Sequence, residues 1–300
     1  MDVAVTGSTG LIGTALVDAL AAAGHHPIRV VRGGGDRPAG DVIAWDPKAA
    51  TIDAAALEGI GAVVHLAGAG IGDHRWNDAY KRELVDSRVL GTGLLARTVA
   101  GLQRPPGVLV SASAVGWYGD RGDEVLDETS GPGTGFLADL CRQWEAAADP
   151  AREAGVRVVH PRSGIVLSPR GGALKKQMPL FKLGLGGRFG TGRQWQSWIS
   201  LDDEVAALIH LLDADVAGPV NLTAPTPVTN LEFTKTLGTV LHRPTLLPVP
   251  AFGPKLLLGP ELADVLLFEG QRVVPRVLEA SGYPFRHPDL EGALRSMIHP

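Results

Sequence analysis

The chain has 300 residues, 45% of them hydrophobic, and a formal net charge of −4 at pH 7. That apolar content suits a globular protein with a substantial core, in one large domain or two modest ones, and the negative charge argues against an electrostatic nucleic-acid binder. Cys141 is the only cysteine and no uninterrupted apolar stretch reaches the roughly 18 residues of a membrane span, which excludes an intramolecular disulfide, a cysteine-based zinc site and a membrane-spanning helix.

The first predicted strand, residues 3–5, begins almost at Met1 and leaves no room for a signal peptide before it. The nine histidines lack the spacing of a paired metal site such as His-Glu-x-x-His. We therefore expect a cytoplasmic protein that holds no metal and binds neither nucleic acid nor a membrane.

A glycine-rich turn follows the first predicted strand and has the spacing of a phosphate-binding loop. Gly7 allows a sharp turn, Gly10 removes a side chain where the backbone approaches a phosphate, and Gly13 lets the next helix lie close to the sheet. The free amides and the positive end of the helix dipole would face the anion. The turn reads Thr6-Gly7-Ser8-Thr9-Gly10-Leu11-Ile12-Gly13.

The residues after the turn support a nucleotide site. Ile12, Leu16 and Leu20 recur at helical spacing, Gly24 is a helix stop, and residues 27–31 form a second strand-like run. The unit is therefore β-turn-α-β, which favours nucleotide binding over an ordinary turn with incidental glycines.

Arg32 ends the second predicted strand, at the position that faces the adenosine ribose in a dinucleotide site. An acidic residue there selects NAD, whereas an arginine suits the 2′-phosphate of NADP(H) through charge-assisted hydrogen bonds. Asp36 lies near enough to oppose this assignment, and a plain surface arginine is the alternative. We predict NADP(H) as the cofactor.

Strand-like and helix-like segments alternate up to about Asp213, which predicts an α/β fold with a doubly wound parallel sheet. The further predicted strands are residues 41–45, 62–68, 108–113, a segment within 156–167, and 219–222. The further predicted helices are residues 76–100, 136–154, one that begins at Asp202, and one that follows Thr229-Asn230 and runs to about Leu241. The glycine-dense residues 184–192 predict a loop with a short strand.

The last sixty residues change character, with prolines between short helical pieces. Leucines at 256–258 and 266–267 and Phe268 are expected to be buried, which indicates a subdomain and not a linker. We predict a Rossmann-like NADP-binding core at residues 1–165, completed by about 198–225. A smaller mixed α/β substrate-side subdomain would comprise residues 166–197 and 226–300.

With these pieces placed, the chain resembles the extended short-chain dehydrogenase/reductase superfamily. The glycine turn matches its Thr-Gly-x-x-Gly-x-x-Gly form. More narrowly, the chain resembles the epimerase-like subfamily that carries a C-terminal domain of unknown function. The segments that carry this narrower resemblance are residues 45–47, 65–68, 87–89, 111–116, 162–167, 171–174, 181–187, 198–203 and 270–275.

The resemblance implies a nicotinamide cofactor across the sheet and a small-molecule substrate in the cleft between the two parts. Val31 and Arg32 would hold the adenosine end, and Leu66 and Ala67 would lie along the cofactor. Glu83 and Arg88 are also predicted to touch the cofactor; the alternative is that they are ordinary solvated charges on a helix. The predicted cofactor-binding residues are Gly7, Thr9, Gly10, Leu11, Ile12, Gly13, Val31, Arg32, Leu66, Ala67, Gly68, Glu83, Arg88 and Arg162.

Superfamily enzymes usually carry a serine and a Tyr-x-x-x-Lys pair, in which the lysine lowers the pKa of the tyrosine that exchanges a proton with the substrate. Ser113 sits at the expected strand end, but no tyrosine of this chain has a lysine four residues later. Aligning the helix puts Leu137 and Cys141 in the tyrosine and lysine positions. Tyr118 is the predicted replacement acid, with simple packing of its ring as the alternative.

Two functions stay open at this point. One is an NADP(H)-binding, epimerase-like oxidoreductase that acts on a small carbonyl or hydroxyl compound. The other is a non-enzymatic NADP(H)-binding sensor or regulatory protein. Ser113 and the polar-aromatic residues 193–198, which would line an amphipathic pocket or pack between the domains, favour the enzyme. The oligomeric state is left open.

Overall fold

A mostly parallel β-sheet forms the centre of the molecule, and shorter strand pairs lie outside it. The computed structural model describes residues 1–33 and 42–299. The strands are β1 (Asp2–Thr6), β2 (His26–Arg32), β3 (Val42–Asp46), β4 (Thr51–Ile52), β5 (Ala62–His65), β6 (Val108–Ser111), β7 (Ser113–Ala114), β8 (Val125–Leu126), β9 (Arg157–Ser163), β10 (Ile165–Leu167), β11 (Trp195–Gln196), β12 (Trp198–Ser200), β13 (Gly218–Leu222), β14 (Val228–Thr229) and β15 (Arg272–Val273).

The helices follow the strands in alternation through the first two thirds of the chain and cluster at its end. Single 3₁₀ turns occur at Ala55–Leu57 and Val115–Tyr118, and a π-helical turn occurs at Asp264–Phe268. The α-helices are α1 (Leu11–Ala22), α2 (Asp78–Ala100), α3 (Phe136–Ala146), α4 (Asp149–Glu153), α5 (Gly172–Lys182), α6 (Leu201–Asp213), α7 (Asn230–Leu241), α8 (Phe252–Leu258), α9 (Pro260–Ala263), α10 (Arg276–Ala280) and α11 (Leu290–Ile298).

The strand order in the central sheet is β13-β9-β6-β5-β1-β2-β3-β4, with β7 paired to β9. Neighbours along this order run parallel, except for β3 and β4. The chain builds one half outward from β1 and then returns to build the other half from β5. A crevice therefore opens between the carboxyl ends of β1 and β5. The predicted Rossmann-like doubly wound sheet is confirmed.

Helices cover both faces of this sheet because successive strand residues point to opposite sides. In β1, Val3 and Val5 pack with Leu16 of α1 and Leu208 of α6, whereas Ala4 joins the core beneath α2 and α4. A third apolar core lies between α5, α7 and α11. No helix in residues 1–33 and 42–299 is long and apolar enough to cross a bilayer.

Several element boundaries differ from the sequence prediction. The helix predicted over 136–154 is two helices, since Pro150 lacks the amide proton that would continue α3 and instead starts α4. α2 begins at Asp78 because the Asn77 side chain caps it by accepting from the amide of Tyr80. Asp36 and Asp41, which entered the sequence predictions, lie outside the described residues.

The expectation that the leucines at 256–258 and 266–267 are buried is wrong for three of them. Leu256 and Leu257 are largely exposed, Leu266 is also exposed, and α8 contains no buried residue. A seven-residue helix with three successive leucines therefore presents apolar side chains to solvent, and contiguous exposed apolar surface is typical of interaction sites.

Asp203, in the first turn of α6, holds the C-terminal part against the sheet half of the molecule. Its buried carboxylate accepts hydrogen bonds from the Tyr283 hydroxyl at 3.0 Å and from the amides of Arg286 and His287 at 2.8 and 2.9 Å. The Ser200 hydroxyl donates to the same group at 2.9 Å. The helix dipole further favours a negative charge at this position.

Glu204, the next residue, is fully buried and has one hydrogen bond, in which the Ser163 hydroxyl donates to Oε1 at 2.6 Å. Its other carboxyl oxygen has no partner among the described residues. Burial raises the pKa of Glu204 from its ordinary 4.5 to about 7. The folded state therefore holds a proton that the unfolded chain loses near pH 4.5.

We expect Asp203→Asn to lower the free energy of unfolding by about 2–4 kcal/mol. The carboxylate accepts hydrogen bonds through both of its oxygens, and in the variant the amide NH₂ would face some of the same donors and could not accept from them. Asp202→Asn is the matched control: its carboxylate is half-exposed and lies 3.9 Å from Arg286, so a change under about 0.5 kcal/mol is expected. Urea unfolding at neutral pH measures both. Similar losses in the two variants would contradict the role given to Asp203.

We expect Glu204→Gln to stabilise the protein in a pH-dependent way. Below pH 4.5 the wild-type carboxyl is protonated in both states, so the variant gains nothing there. Between pH 4.5 and about 7, Glu204 of the wild type ionises in the unfolded state but stays protonated in the folded state. Ionisation therefore stabilises the unfolded wild type, whereas the glutamine of the variant does not ionise in either state. The difference should grow to about 3 kcal/mol above that pH. A pH-independent difference in urea unfolding would contradict this expectation.

Candidate functional site

The turn between β1 and α1 requires bare backbone at two glycines. Gly7 has φ +64°, and a Cβ there would lie 2.8 Å from the carbonyl carbon and oxygen of Leu66. A Cβ on Gly13 would collide with the carbonyl oxygen of Gly7. A Cβ on Gly10 would meet only the Gly7 carbonyl oxygen, at 3.4 Å, so a side chain there would extend into open space.

The start of α1 leaves backbone donors free to meet a ligand. The first helical hydrogen bond of α1 runs from the amide of Thr14 to the carbonyl of Gly10 at 2.9 Å. The amides of residues 11–13 therefore precede the helical ladder. Gly10 occupies the N-cap position and has no side chain to satisfy them. Free amides at a helix N-terminus form an anion site.

A cleft of about 1240 Å³ lies in front of this turn. It runs along the carboxyl ends of β1, β2, β3 and β5 and along the first half of α2. Most pockets for small ligands are of comparable or smaller volume. The cleft is therefore large enough for a dinucleotide and lies at the switch point of the sheet, where such ligands bind.

The structure brings most of the predicted cofactor residues together along this cleft. Trp45, which the sequence suggested as a cleft residue together with Trp76, lines it. Sequence reasoning did not place Lys48 and Ser87 there, although the structure does; they come from the turn after β3 and from α2, and no phosphate-loop motif marks them. The predicted residues that line the cleft are Gly7, Thr9, Gly10, Val31, Arg32, Leu66, Ala67, Gly68 and Glu83.

Five predicted cofactor residues are not on the cleft wall. Leu11, Ile12 and Gly13 begin α1 and can present only their amides, while Arg88 and Arg162 are buried. Arg88 donates to the carbonyls of Leu84 at 3.1 Å and Ala69 at 2.9 Å. Its guanidinium therefore supports the loop after β5 from behind, in place of the predicted cofactor contact.

Thr6 and His65 fix the two strand ends that flank the cleft. The Thr6 hydroxyl accepts from the amides of Leu66 and Ala67 at 3.0 and 3.1 Å, so its proton is directed to Nδ1 of His65 at 2.7 Å. Nε2 of His65 then donates to Thr92 at 3.0 Å. Burial and the nearby Arg88 lower the pKa of His65 to about 4, so the ring is neutral, as this bonding requires.

Ser113 begins β7, next to β9 of the central sheet; it is buried and is not one of the residues that line the cleft, and its hydroxyl is already engaged. It donates to Oε1 of Glu145 at 2.6 Å. The two oxygens of Glu145 accept from Nε and Nη2 of Arg162 at 2.8 and 2.9 Å. All three side chains are buried, and the guanidinium lies 3.9 Å from the ring centre of Trp117. Bidentate pairing satisfies the buried charges.

The prediction that Tyr118 acts as a replacement acid does not fit this geometry. Tyr118 is fully buried, donates to Oδ1 of Asn221 at 2.8 Å and accepts from Nη1 of Arg162 at 3.1 Å. Burial raises the pKa of its hydroxyl. The ring is held inside the protein by packing and hydrogen bonding, and its hydroxyl faces Arg162 and not the cleft.

Leu137 and Cys141, which occupy the helix positions of the tyrosine and lysine, are packed side chains that carry no charge. A Cβ on Gly116 would contact Leu137 at 3.3 Å and the Cys141 sulfur at 3.8 Å, so α3 packs tightly there. Burial and then Glu145 raise the pKa of Cys141 to about 12. A thiol that stays protonated is neither a cation nor a nucleophile at neutral pH.

Glu145 is a further site residue that sequence reasoning missed. It follows Cys141 by one helical turn on the buried side of α3, and a buried carboxylate requires a cation partner. In the polar-aromatic segment 193–198, both tryptophans pack against other parts of the protein and do not line an open pocket. Trp198 is fully buried, and the indole of Trp195 donates to Asp123 at 2.7 Å and lies beneath the guanidinium of Arg272.

Comparison with known proteins places this geometry in context. A sequence profile described as "NAD dependent epimerase/dehydratase family" matches residues 3–223, and one described as "Domain of unknown function (DUF1731)" matches residues 249–297. "Epimerase family protein Mb2239" of Mycobacterium bovis is 47% identical over 294 residues, which cover 97% of this chain and 96% of that protein.

Two further relatives are similar over nearly their whole length. "Epimerase family protein YfhF" of Bacillus subtilis is 34% identical and covers 99% of this chain and 98% of its own. The crystal structure of the human epimerase family protein SDR39U1 (isoform 2), which was solved with NADPH, is 37% identical, covers 99% of both chains and superposes with a TM-score of 0.90. This chain therefore belongs to the NAD dependent epimerase/dehydratase family and carries that family's Rossmann-like sheet together with the C-terminal domain of unknown function.

Proposed function

We propose that the protein binds NADP(H) in the cleft before the β1–α1 turn and acts as an epimerase-like oxidoreductase on a small carbonyl or hydroxyl compound. The observation that carries the proposal is the turn itself, where neither Gly7 nor Gly13 has space for a Cβ and the free amides of α1 face the cleft. The similar human structure, which contains NADPH, supports the same cofactor.

Arg32 supports the choice of NADP(H) over NAD. It ends β2, is exposed and lines the cleft, where the adenosine ribose of a dinucleotide lies in this fold. Lys48 lines the same end of the cleft. Arg29, by contrast, donates to the carbonyl of Ser8 at 2.8 Å and is thereby committed to the turn. Two cations at this end of the cleft suit a 2′-phosphate.

Ser113 and Glu145 support proton transfer without Tyr-x-x-x-Lys. When bound, the nicotinamide supplies or accepts the hydride at the substrate carbon. As a substrate hydroxyl becomes a carbonyl, its proton passes to Oγ of Ser113, whose own proton passes to Oε1 of Glu145, 2.6 Å away. The reverse transfer serves carbonyl reduction. Arg162 holds the carboxylate in place for this relay.

One observation favours the sensor function as a second candidate. Leu137 and Cys141 leave the helix position beside Ser113 without an acid or a cation, and Ser113 itself is buried. A protein that only binds NADP(H) needs neither group. The two candidates share the cofactor site and differ in whether the bound cofactor turns over.

We expect Arg32→Ala to weaken NADPH binding about ten- to a hundred-fold and to leave NADH binding nearly unchanged, because only NADPH carries the phosphate that the guanidinium pairs with. Calorimetry on ligand-stripped protein measures both. Arg97→Ala, an exposed arginine of α2 away from the cleft, is the control and should change neither. Equal weakening for both coenzymes would refute the NADP(H) assignment.

We expect Ser113→Ala to lower NADPH turnover on a panel of aldehydes, ketones and sugar nucleotides about 10²–10³-fold, with NADPH affinity unchanged, because the proton relay is lost. Ser111→Ala, which removes another buried strand-end hydroxyl of the same region, is the matched control and should keep turnover. Tight NADPH binding by the wild type without turnover of any compound would instead support the sensor.

A further inference from the structure

An extended apolar surface lies on the C-terminal part of the molecule, away from the central sheet. It comprises the end of α5 and the residues after it, the loop 244–249, and α8. Eight large apolar side chains there are between 51% and 83% exposed. These side chains, which we term the leucine face, are Leu180, Leu183, Leu185, Leu246, Leu247, Phe252, Leu256 and Leu257.

The loop 244–249 and the residues after α5 are held together by hydrogen bonds to backbone carbonyls. The amide of Val249 donates to the carbonyl of Arg188 at 2.8 Å, and the amide of Gly190 donates to the carbonyl of Val249 at 3.2 Å. Arg243 donates to the carbonyl of Lys182 at 2.8 Å. The loop 244–249 therefore runs beside residues 182–190, and α8 follows two residues later.

The charges in these segments all have one sign. Residues 164–201 contain six lysines and arginines, residues 233–260 contain three, and neither segment contains an aspartate or glutamate. All 32 acidic residues of the chain lie elsewhere. Lys175, Lys176 and Lys182 are exposed on α5, and Lys176 lies one helical turn before Leu180. Lys255 of α8 is paired with Asp264 at 2.7 Å. The other cations of these segments border the leucine face in a protein of negative net charge.

An open concavity of about 550 Å³ adjoins the leucine face at the end of α7. Its wall carries the cationic side chains of Lys235 and Arg243 together with His242, and the hydroxyls of Thr239 and Thr245. Cations and hydroxyl donors in one open depression are suited to a phosphate group. Leu246 follows the wall directly, so phosphate and hydrocarbon would meet side by side.

We propose that the leucine face docks on the surface of an anionic phospholipid bilayer, with its apolar side chains in the acyl boundary and a lipid phosphate in the concavity. Exposed leucine and phenylalanine with bordering lysine and arginine have the composition of interfacial membrane binders. A second copy of the chain fits less well, because a symmetric contact would bring Lys176 and Lys182 of the two copies toward each other.

This docking surface replaces the expectation, drawn from the lack of a membrane-spanning stretch, that the protein has no membrane partner. A face that lies on the bilayer needs no spanning helix. None of the eight side chains of the leucine face lines the cofactor cleft, although Arg75, next to the cleft residue His74, donates to the carbonyls of Leu256 and Leu257. Vesicle binding and cofactor turnover are therefore measured separately.

The test is flotation of the full chain, with NADPH bound, on vesicles of phosphatidylcholine alone and on vesicles with phosphatidylglycerol added. Binding is expected only to the second kind and should weaken as salt is raised. Leu246→Ser with Leu247→Ser should lower the partition coefficient more than ten-fold. Lys176→Gln and Lys182→Gln should each lower it about five-fold.

Two control variants match these changes outside the leucine face. Val125→Ser removes an exposed apolar side chain on β8, and Arg97→Gln removes an exposed cation on α2; both should bind vesicles as the wild type does. Retained NADPH affinity shows that each variant is folded. Absence of binding to the anionic vesicles, or equal losses in the controls, would overturn the proposal. So would a wild-type dimer that Leu246→Ser with Leu247→Ser converts to monomer without any vesicle binding.

Discussion

The close approach of two strand-end loops is the constraint on which the cofactor cleft depends. Gly7 sits so near the backbone of Leu66 that no Cβ fits between them, and Thr6 ties the same loop down by accepting two of its amides. The turn and the loop thus form a single wall. Its shape places the free amides of α1 at the switch point of the sheet, where the strand order reverses and a long ligand can lie flat.

The buried Ser113–Glu145–Arg162 group shows how the fold compensates for unusual residues on α3. With Leu137 and Cys141 in place of a proton-donating pair, the helix still contributes one charged group, Glu145, a turn further along. Burying that carboxylate is unfavourable unless it is paired, and Arg162 supplies the pair with two hydrogen bonds. Tyr118 completes the pairing and is thereby withdrawn from the cleft.

The sequence predicts the sheet and the glycine turn well because both depend on local patterns. Val3-Ala4-Val5 alternates between two cores, and Gly7 and Gly13 are needed whatever surrounds them. Side-chain partners that are far apart in the sequence cannot be predicted in this way. Nothing local distinguishes Arg162, which binds Glu145, from an arginine that binds a phosphate, and the burial of Tyr118 depends on Asn221, 103 residues away.

Exposure of the leucine face was beyond sequence reasoning for a related reason. Three successive leucines on α8 predict burial because large apolar side chains are usually buried. That expectation holds only when another element of the same chain covers the helix. Whether such a partner exists is decided by how α8 and the loop before it sit on the rest of the fold, which composition alone does not reveal.

The Asp203 cluster has a consequence for how the polypeptide acquires its structure. α6 covers the sheet built mainly from the first half of the chain, yet the donors that neutralise its first turn come from Tyr283, Arg286 and His287, some eighty residues later. Until that last segment has been synthesised, the Asp203 carboxylate has the Ser200 hydroxyl and water as donors in place of these three groups. The hydrogen bonds that join the C-terminal part to α6 can therefore form only when nearly the whole chain has been made, which couples the last folding step of the two parts.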